Sequence, residues 1–400
     1  MIYISPVFRE RLTRYGFVKP AHLVFALCVL CVLCGKTPAQ DFKQLHPGVE
    51  YAQVEHKLGS DPVKINLLRL DLTKVRLDVH HALDKAIGLE TTSSIAKRKD
   101  AVAAINAGFF RLDKSTWAGE NVGLLQIDYR LVSEPSQNRT SLLISNLPTI
   151  TLTGFGRPDG GLTFNESHFA LSVNRELKKS DIVVYTPEFG ESTLTPRGTT
   201  EIVLNNCRKF CRSIERKENA GNSLIPAGGY VIAVGSDPTP DQTRFIGTLA
   251  NSKSFWPQNL LSGIMDALPY AGKKYAPEDA VAGVPQLIKN GKIDITWEQE
   301  KASKAFAETR HPRTAVAKLK DGKFLMMTVD GRQPGVSVGM SLQELAEYLF
   351  SLGAVDAMNL DGGGSTTMFL DGEVVNTPSD KEGERKISDA IVVTLRKPKK

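Results

Sequence analysis

The segment Met358–Met368, MNLDGGGSTTM, is the most informative part of this 400-residue chain. It continues an alternating run that predicts a strand, and it places the carboxylate of Asp361 directly before three glycines. Successive glycines allow positive φ angles and let a ligand approach the backbone closely. Ser365, Thr366 and Thr367 add hydroxyl groups just beyond them. An Asp-Gly pair alone predicts a hairpin turn, and a flexible surface loop is the alternative interpretation, but the whole run favours a ligand-binding loop.

The residues before this loop predict a βαβ unit. Lys323–Val329 and Ala354–Leu360 have the pattern of strands. Between them, Ser341 and Glu344 form a capping box in front of an amphipathic helix, Leu342–Leu352. Such a crossover is expected to be right-handed, with its two strands parallel. Both strands end in Asp-Gly, so both Asp-Gly pairs are expected at the same edge of the sheet, where α/β proteins place ligands.

Asp330 and Asp361 are therefore predicted to face one crevice. Paired carboxylates serve glycosyl transfer to water, one as acid and the other as base or nucleophile. The sequence predicts both residues as catalytic, in an order that it leaves open. A turn-forming aspartate is the alternative for Asp330.

Composition limits the class of protein. The hydrophobic content of 41% and the charged content of 24% are those of a globular chain. We find no fixed repeat and no linker rich in proline or serine, and strands are predicted from residue 49 to residue 81 and again near the C-terminus. We therefore predict one strand-rich α/β domain (α+β mixed) over residues 40–400, with mixed sheets. The net charge of +6 allows an anionic substrate and does not argue for nucleic acid.

The first 39 residues have the pattern of a signal peptide. A basic region precedes the apolar run Leu23–Leu33, whose eleven residues are short for a membrane span. Small residues allow cleavage after Ala39, and a lipoprotein anchor at Cys34 is the alternative. We predict a secreted or periplasmic protein without a membrane span in the mature chain.

Three of the five cysteines fall in this leader, so Cys207 and Cys211 remain. In an oxidising compartment they are expected to form a local disulfide. No CxxC or HExxH pattern supplies metal ligands, and we predict neither a metal nor a cofactor. A structural calcium ion stays open.

Two arginines and an asparagine are candidate binding residues. Arg313, just before a strand, and Arg175 offer planar forks for a phosphate or carboxylate, although each alone could be a surface ion-pair partner. Asn106 could bind a sugar hydroxyl or cap a turn with its side chain.

Taken together, these motifs resemble those of the phosphodiester glycosidase family, over about residues 90–395. The motifs are Asn106–Phe110, Asn174-Arg175 with Tyr185–Pro187, Pro312–Ala315, Val329–Arg332 and Asn359–Thr366. The resemblance implies hydrolysis of a sugar-1-phosphodiester, such as an alpha-N-acetylglucosamine-1-phosphodiester, at the anomeric bond. No cysteine-rich module or transmembrane tail follows the motifs, which favours envelope or extracellular glycans as substrates.

The resemblance also implies roles for individual residues. Asp361 and Asp330 would be catalytic, and Arg313 and Arg175 would hold the phosphate. The implied substrate-binding set is Asn106, Arg175, Arg313, Thr314, Asn359, Gly362, Gly363, Gly364, Ser365 and Thr366. Within it, the three glycine amides would form an anion-binding nest. Two other functions remain open: a non-catalytic protein for anionic glycans or polysaccharide assembly, and a metal-dependent phosphodiesterase.

Overall fold

The computed structural model describes residues 40–136, 138–156, 162–163, 170–207, 211, 213–251 and 277–397. The predicted signal peptide and the Cys34 anchor lie outside these residues. Asp41–Lys400 forms one compact unit. Within the described part, no helix is both long and apolar enough to cross a membrane.

Strands dominate the described residues. In chain order they are β1 (Lys43–His46), β2 (Val49–Leu58), β3 (Asp61–Leu70), β4 (Val75–His81), β5 (Glu90–Thr91), β6 (Ala103–Asn106), β7 (Leu125–Ile127), β8 (Arg130–Ser133), β9 (Ser141–Asn146), β10 (Thr151–Gly156), β11 (Leu162–Thr163), β12 (Ala170–Val173), β13 (Ile182–Tyr185), β14 (Thr200–Asn205), β15 (Ser213–Lys217), β16 (Tyr230–Val234), β17 (Asp279–Ala282), β18 (Gln286–Lys289), β19 (Lys292–Ile293), β20 (Arg313–Leu319), β21 (Phe324–Val329), β22 (Ala354–Asn359), β23 (Met368–Leu370), β24 (Glu373–Val374), β25 (Lys386–Ile387) and β26 (Asp389–Leu395).

Helices are few and short. They are α1 (Thr92–Arg98), α2 (Pro240–Ala250), α3 (Lys304–Glu308) and α4 (Leu342–Ser351), with 3-10 turns at Ala82–Asp84 and Gly363–Ser365. Most strand pairs are antiparallel, and β12 with β13 is parallel. The prediction of a strand-rich α/β fold with mixed sheets is confirmed.

Two sheets hold the segment that carries Asp361. The eight-stranded sheet has the order β1-β2-β3-β21-β20-β22-β18-β19, and a five-stranded sheet has the order β24-β23-β6-β26-β4. β22 ends in the first sheet and β23 begins in the second, so residues 360–367, here called the glycine loop, cross between them. Met358 and Met368, on either side of the loop, are buried in one hydrophobic cluster. Burial of apolar surface there fixes both ends of the loop.

The two strands of the predicted βαβ unit, β21 and β22, lie in one sheet but are not neighbours. β20 lies between them and is antiparallel to both, with Arg313 opposite Val329 and Ala315 opposite Asn359. The tight hairpin between β20 and β21 places β20 next to β21, and α4 then carries the chain past β20 to β22. β21 and β22 nevertheless run in the same direction. Their carboxyl ends therefore meet at one edge of the sheet, as predicted.

Helix α4 follows its sequence signals at both ends. The Ser341 hydroxyl accepts from the Glu344 amide, and the Glu344 side chain accepts from the Ser341 amide. The chain leaves the helix at Gly353, whose φ of +85° suits glycine. The predicted apolar face of α4 is buried except for Phe350, whose side chain is 47% exposed. The remaining apolar side chains pack α4 onto β18 and β22.

Two elements were missed or misread. Ser213–Lys217 was not predicted as a strand, yet it forms an edge strand paired with β14. Its side chains are largely exposed and charged, so the sequence lacks the alternation of apolar and polar residues that indicates a strand. Backbone pairing alone places this segment in the sheet. Helix α2 lies in the poorly readable region from residue 238 to residue 279. Its signal was present, since Thr239 and Gln242 form a capping box with a proline at the first helical position.

The capping box of α4 gives a test of this description. Ser341→Ala should lower the free energy of unfolding by about 1 kcal/mol, because the first turn loses a hydrogen-bond acceptor. Ser341→Thr keeps a capping hydroxyl and should change stability by less than half as much. Urea denaturation followed by circular dichroism measures both. Equal losses in the two variants would contradict the capping role.

Candidate functional site

The glycine loop folds into a tight turn whose amides are used within the protein. The Gly363 amide donates to the Pro312 carbonyl at 2.9 Å, and the Ser365 amide donates to the Gly362 carbonyl at 3.2 Å. The Gly362 amide donates to Asp361 Oδ1 at 2.9 Å. The predicted nest is therefore not available to a ligand at Gly362 and Gly363, because these amides orient the loop and its carboxylate instead.

The surroundings of all three glycines leave little room for a side chain. At Gly362 a Cβ atom would lie 2.7 Å from the Pro312 carbonyl oxygen. Gly363 has a φ of +62°, in the left-handed region, and its α-carbon faces the guanidinium of Arg332. A Cβ atom there would lie 3.0 Å from Arg332 Nη2. At Gly364 a Cβ atom would overlap the side chains of Arg385 and Asp380. Two arginine side chains thus lie directly against the glycine loop.

Asp361 is the partly exposed carboxylate at the centre of this arrangement. The pKa of Asp361 is raised to about 6, mainly by burial and to a smaller extent by the carboxylate of Asp389. The Ser365 hydroxyl, the Gly362 amide and the Arg385 charge oppose that increase. The Ser365 hydroxyl lies close enough to act on the carboxyl group without meeting hydrogen-bond geometry. A carboxyl group with a pKa near neutrality suits proton transfer or nucleophilic attack.

The side chain of Asn106 holds the glycine loop in place through three hydrogen bonds. Its Nδ2 donates to the Asp361 carbonyl at 2.7 Å. Its Oδ1 accepts from Thr314 Oγ1 at 2.7 Å and from the Thr367 amide at 3.1 Å. Asn106 and Thr314 are fully buried. Both were predicted to bind substrate, but their hydrogen bonds are spent on joining β6, β20 and the glycine loop.

Asn359, also predicted to bind substrate, is buried and bonded to the backbone in the same way as Asn106. Its Nδ2 donates to the carbonyls of Val284 and Leu360, at 2.7 Å each, and the residue is fully buried. It joins the end of β22 to the segment before β18. The structure places Asn359 behind the loop, so it supports the site rather than lining it.

Arg313 lies inside the protein. Its guanidinium donates to the carbonyls of Met340, Phe306 and Thr309, at 2.8–3.0 Å, and the residue is 1% exposed. Burial and the neighbouring Arg332 lower the pKa of Arg313 to about 10. The predicted contact of this side chain with a phosphate stays a prediction that the geometry disfavours, because its donors bind backbone carbonyls between α3 and α4.

The guanidinium of Arg175 is also occupied by protein partners, in a different sheet. Its guanidinium forms ion pairs with Glu134 at 3.0 Å and Asp181 at 2.7 Å, and it also donates to Ser172 Oγ. It follows β12 in the six-stranded sheet, whereas Arg313 begins β20 in the eight-stranded sheet. The two arginines share no hydrogen-bond partner. The structure therefore does not bring them together around a ligand.

Asp330 is at the predicted sheet edge but is 1% exposed. Its carboxylate accepts from Asn376 Nδ2 and from the Thr377 amide, each at 3.1 Å, and burial raises its pKa. Asn376 also donates to the Thr366 carbonyl at 3.1 Å. This geometry favours a positioning role for Asp330 in the loops around Asp361. Its role as a second catalytic carboxylate stays a prediction.

Sequence reasoning missed the residues that surround Asp361. Arg385 pairs with Asp380 at 2.7 Å, and Arg332 Nη2 lies 3.4 Å from His311 Nδ1. Arg332 was visible as the last residue of the Val329–Arg332 motif, but its position over Gly363 depends on contacts distant in sequence. Arg385 and Asp380 carried no recognisable signal.

Several hydroxyls beside the loop are buried without a protein partner in the described structure. They are Oγ of Ser365, Oγ1 of Thr366, Oγ1 of Thr367 and Oγ of Ser379. Buried polar groups normally have a partner, and exceptions concentrate where a ligand or water completes the bonding. Ser365 and Thr366 were predicted to bind substrate, and that stays a prediction. Both residues are buried, and the Ser365 hydroxyl also acts on the Asp361 carboxyl group.

The remaining predictions concern cysteine and metal. Cys207 and Cys211 are joined by a disulfide with an S–S distance of 2.04 Å. Among the residues that the structure describes, no group of three or more His, Cys, Asp or Glu side chains could hold a metal ion.

The Asn106 bridge predicts a large stability effect. Asn106→Asp should cost about 3 kcal/mol of unfolding free energy, because a buried carboxylate would face the Asp361 carbonyl in place of a donor. Asn290→Asp makes the same change at an exposed turn residue and should cost less than about 0.5 kcal/mol. Urea denaturation at pH 7 compares them. Similar costs at the two positions would contradict the bridge.

The raised pKa of Asp361 predicts the pH dependence of stability. The folded protein keeps this proton up to about pH 6, whereas an unfolded aspartate loses it near pH 3.9. Ionisation therefore lowers the stability of the wild type as pH rises through this window. Asp361→Asn avoids that loss and should be more stable than the wild type by about 1–2 kcal/mol above pH 6, after allowance for partial exposure.

The control for this experiment is Asp321→Asn at an exposed hairpin turn. Its stability difference from the wild type should not grow between pH 4 and pH 6. If the Asp361→Asn difference were also flat over that range, the raised pKa would be contradicted.

Comparison with known proteins extends the motif resemblance. The phosphodiester glycosidase family model matches residues 198–394, which include Asp330 and Asp361 but not Asn106. One segment is 37% identical over 109 residues to N-acetylglucosamine-1-phosphodiester alpha-N-acetylglucosaminidase of Bos taurus, covering 25% of this chain and 20% of that protein. The Homo sapiens protein of the same name is 36% identical over 110 residues, covering 25% and 21%. The matched part thus spans about a fifth of these relatives.

Two solved structures share the fold. A hypothetical protein from Synechocystis superimposes with a TM-score of 0.68 and 24% identity, covering 90% of this chain and 64% of that one. An exported protein of Burkholderia pseudomallei, described as putative, superimposes with a TM-score of 0.65 and 22% identity, covering 84% and 74%. At these identities they establish the architecture alone. The family match and the curated relatives confirm the resemblance of this chain to the phosphodiester glycosidase family.

Proposed function

We propose that this protein hydrolyses a sugar-1-phosphodiester at the bond between the anomeric carbon and the phosphate oxygen. The observation that carries the proposal is the partly exposed Asp361, with its raised pKa, on a loop flanked by the guanidinium groups of Arg332 and Arg385. A carboxylate for the sugar then lies on the loop, and guanidinium groups lie directly against it, with Arg385 also paired to Asp380. The family match of residues 198–394 and the similarity to the bovine and human enzymes support the same reaction class.

In the proposed reaction, the bond between C1 and the phosphate oxygen breaks. The phosphate leaves as a monoester anion, and an oxygen from water ends on C1. Asp361 acts on C1 either directly as a nucleophile or through the water as a base. Arginine guanidinium groups stabilise the charge that develops on the leaving phosphate.

The placement of Asp330 fits this leaving group. Glycosidases that expel an alcohol need a second carboxyl group, because the leaving oxygen must be protonated. A phosphate monoester is a stable anion and needs little protonation. One reacting carboxylate with adjacent cations is therefore sufficient, and Asp330 is free to serve as a buried brace.

We further propose that the protein is secreted or periplasmic and acts on envelope or extracellular glycans. The basic and apolar pattern of the first 39 residues supports export. The disulfide between Cys207 and Cys211 supports an oxidising compartment. Cell fractionation, with mass determination of the mature N-terminus, tests cleavage after Ala39.

The decisive experiment is hydrolysis of an alpha-N-acetylglucosamine-1-phosphodiester in ¹⁸O-water. We expect the label in the released sugar, because water attacks carbon rather than phosphorus. Asp361→Asn should lower turnover by about 10³-fold or more, since it removes the reacting carboxylate. Asp321→Asn, at an exposed turn, should keep wild-type turnover.

Each other outcome has a distinct meaning. Label in the phosphate would replace the glycosidase with a phosphodiesterase. Wild-type turnover in a folded Asp361→Asn variant would remove this residue from the chemistry. No turnover on a panel of sugar-1-phosphodiesters, with glycan binding retained, would favour a non-catalytic binding protein.

A further inference from the structure

We infer that Arg332, oriented by His311, is the residue that grips the phosphate of the substrate, in place of Arg313 and Arg175. The inference rests on the proposed function for the identity of the substrate and on the geometry of the glycine loop for the residues. It assigns the specificity for a phosphate-linked sugar to one exposed side chain and its imidazole neighbour.

Arg332 differs from the other arginines around the loop because, in the described structure, its guanidinium group has no carboxylate partner. Arg313 is buried against backbone carbonyls, and Arg385 is held by Asp380 through Nε and Nη2. Within the described residues, Arg332 is exposed and has no carboxylate in ion-pair range. An exposed guanidinium without an acidic partner keeps its full charge and its planar fork for an anion.

The backbone holds Arg332 in place over the loop. Its φ of +60° lies in the left-handed region, which residues other than glycine seldom adopt. Such strain persists where the surroundings enforce it, and it concentrates at functional sites. Gly331, the preceding residue, is enclosed by the backbone of Pro312 and Gly339. The turn therefore places the exposed Arg332 side chain over Gly363.

His311 supplies the second element of the grip. Its Nδ1 faces Arg332 Nη2 at 3.4 Å, and a guanidinium only donates, so Nδ1 is the acceptor. Burial and the charges of Arg313 and Arg332 lower the pKa of His311, which keeps the ring neutral. The proton of the neutral ring is then on Nε2, which leaves one more donor for a phosphate oxygen.

Asp330 explains how this grip is aligned with the loop. Its carbonyl accepts from Ser337 Oγ at 2.6 Å, which closes the turn that contains Arg332. Its carboxylate holds the Thr377 amide, and the Thr377 carbonyl accepts from Gln333 Nε2 at 3.1 Å. One buried aspartate thus ties together the segments that carry Arg332 and Arg385. The phosphate-binding side and the Asp361 side of the site are fixed as one unit.

The experiment measures binding of inorganic phosphate to the full protein by ³¹P NMR titration, independently of turnover. Arg332→Ala should weaken phosphate binding by about 10- to 100-fold, the loss expected for a charge-assisted hydrogen-bonded pair. Arg332→Lys keeps the charge without the planar fork and should fall between. The matched control is Arg130→Ala, whose side chain is 71% exposed, and it should bind as the wild type does.

Kinetics supply a second readout in the same variants. For Arg332→Ala, kcat/KM should fall on the phosphodiester but not on an aryl glycoside of the same sugar, which lacks the phosphate. Unchanged phosphate affinity in Arg332→Ala, or no phosphate binding by the wild type, would overturn the grip whatever the activity. Loss of phosphate binding in a protein that hydrolyses nothing would support the grip while removing the proposed function.

Discussion

The hydrogen bonds of one buried amide, that of Asn106, organise the whole site. This side chain joins β6 to the carbonyl of Asp361, to the hydroxyl of Thr314 in β20 and to the amide of Thr367. The glycine loop passes between two sheets, so without such a bridge each end would follow a different sheet. A single amide has both donor and acceptor atoms and satisfies both ends at once. The loop geometry therefore depends on long-range bonds and not on the flexibility of its glycines.

That bridge holds the Asp361 carboxylate in surroundings that destabilise its ionised form. Burial and the nearby Asp389 disfavour its ionised form, while the Gly362 amide and Arg385 offset only part of that cost. A carboxylate that is poorly solvated is a better base or nucleophile than one fully paired. Folding free energy from the two packed sheets holds it there, which is the usual relation between a stable scaffold and a strained site.

The sequence predicted what depends on local signals. The capping box at Ser341, the hairpin turns and the strand before Asp361 are encoded within a few residues, and they lie where expected. The fates of Arg313 and Arg175 depend on partners that only the folded chain brings near, namely backbone carbonyls for one and Glu134 with Asp181 for the other. A sequence motif names a residue but not the direction of its side chain. Thr314, Asn106 and Asn359 therefore looked like ligand contacts and proved to be supports.

The same distinction applies to the sheet edge, which was predicted correctly although β20 lies between the two strands. Antiparallel insertion of β20 leaves β21 and β22 parallel to each other, so their following residues emerge on the same side. Two residues that follow strands at the same edge of a sheet can still have different roles. Asp330 turns inward to Asn376 and Thr377, whereas Asp361 stays partly exposed on its loop. With Asp330 turned inward and Asp361 partly exposed, the site fits the proposed reaction, in which the leaving group departs as an anion. The exposed guanidinium of Arg332 lies against the same loop, where it could stabilise such a group.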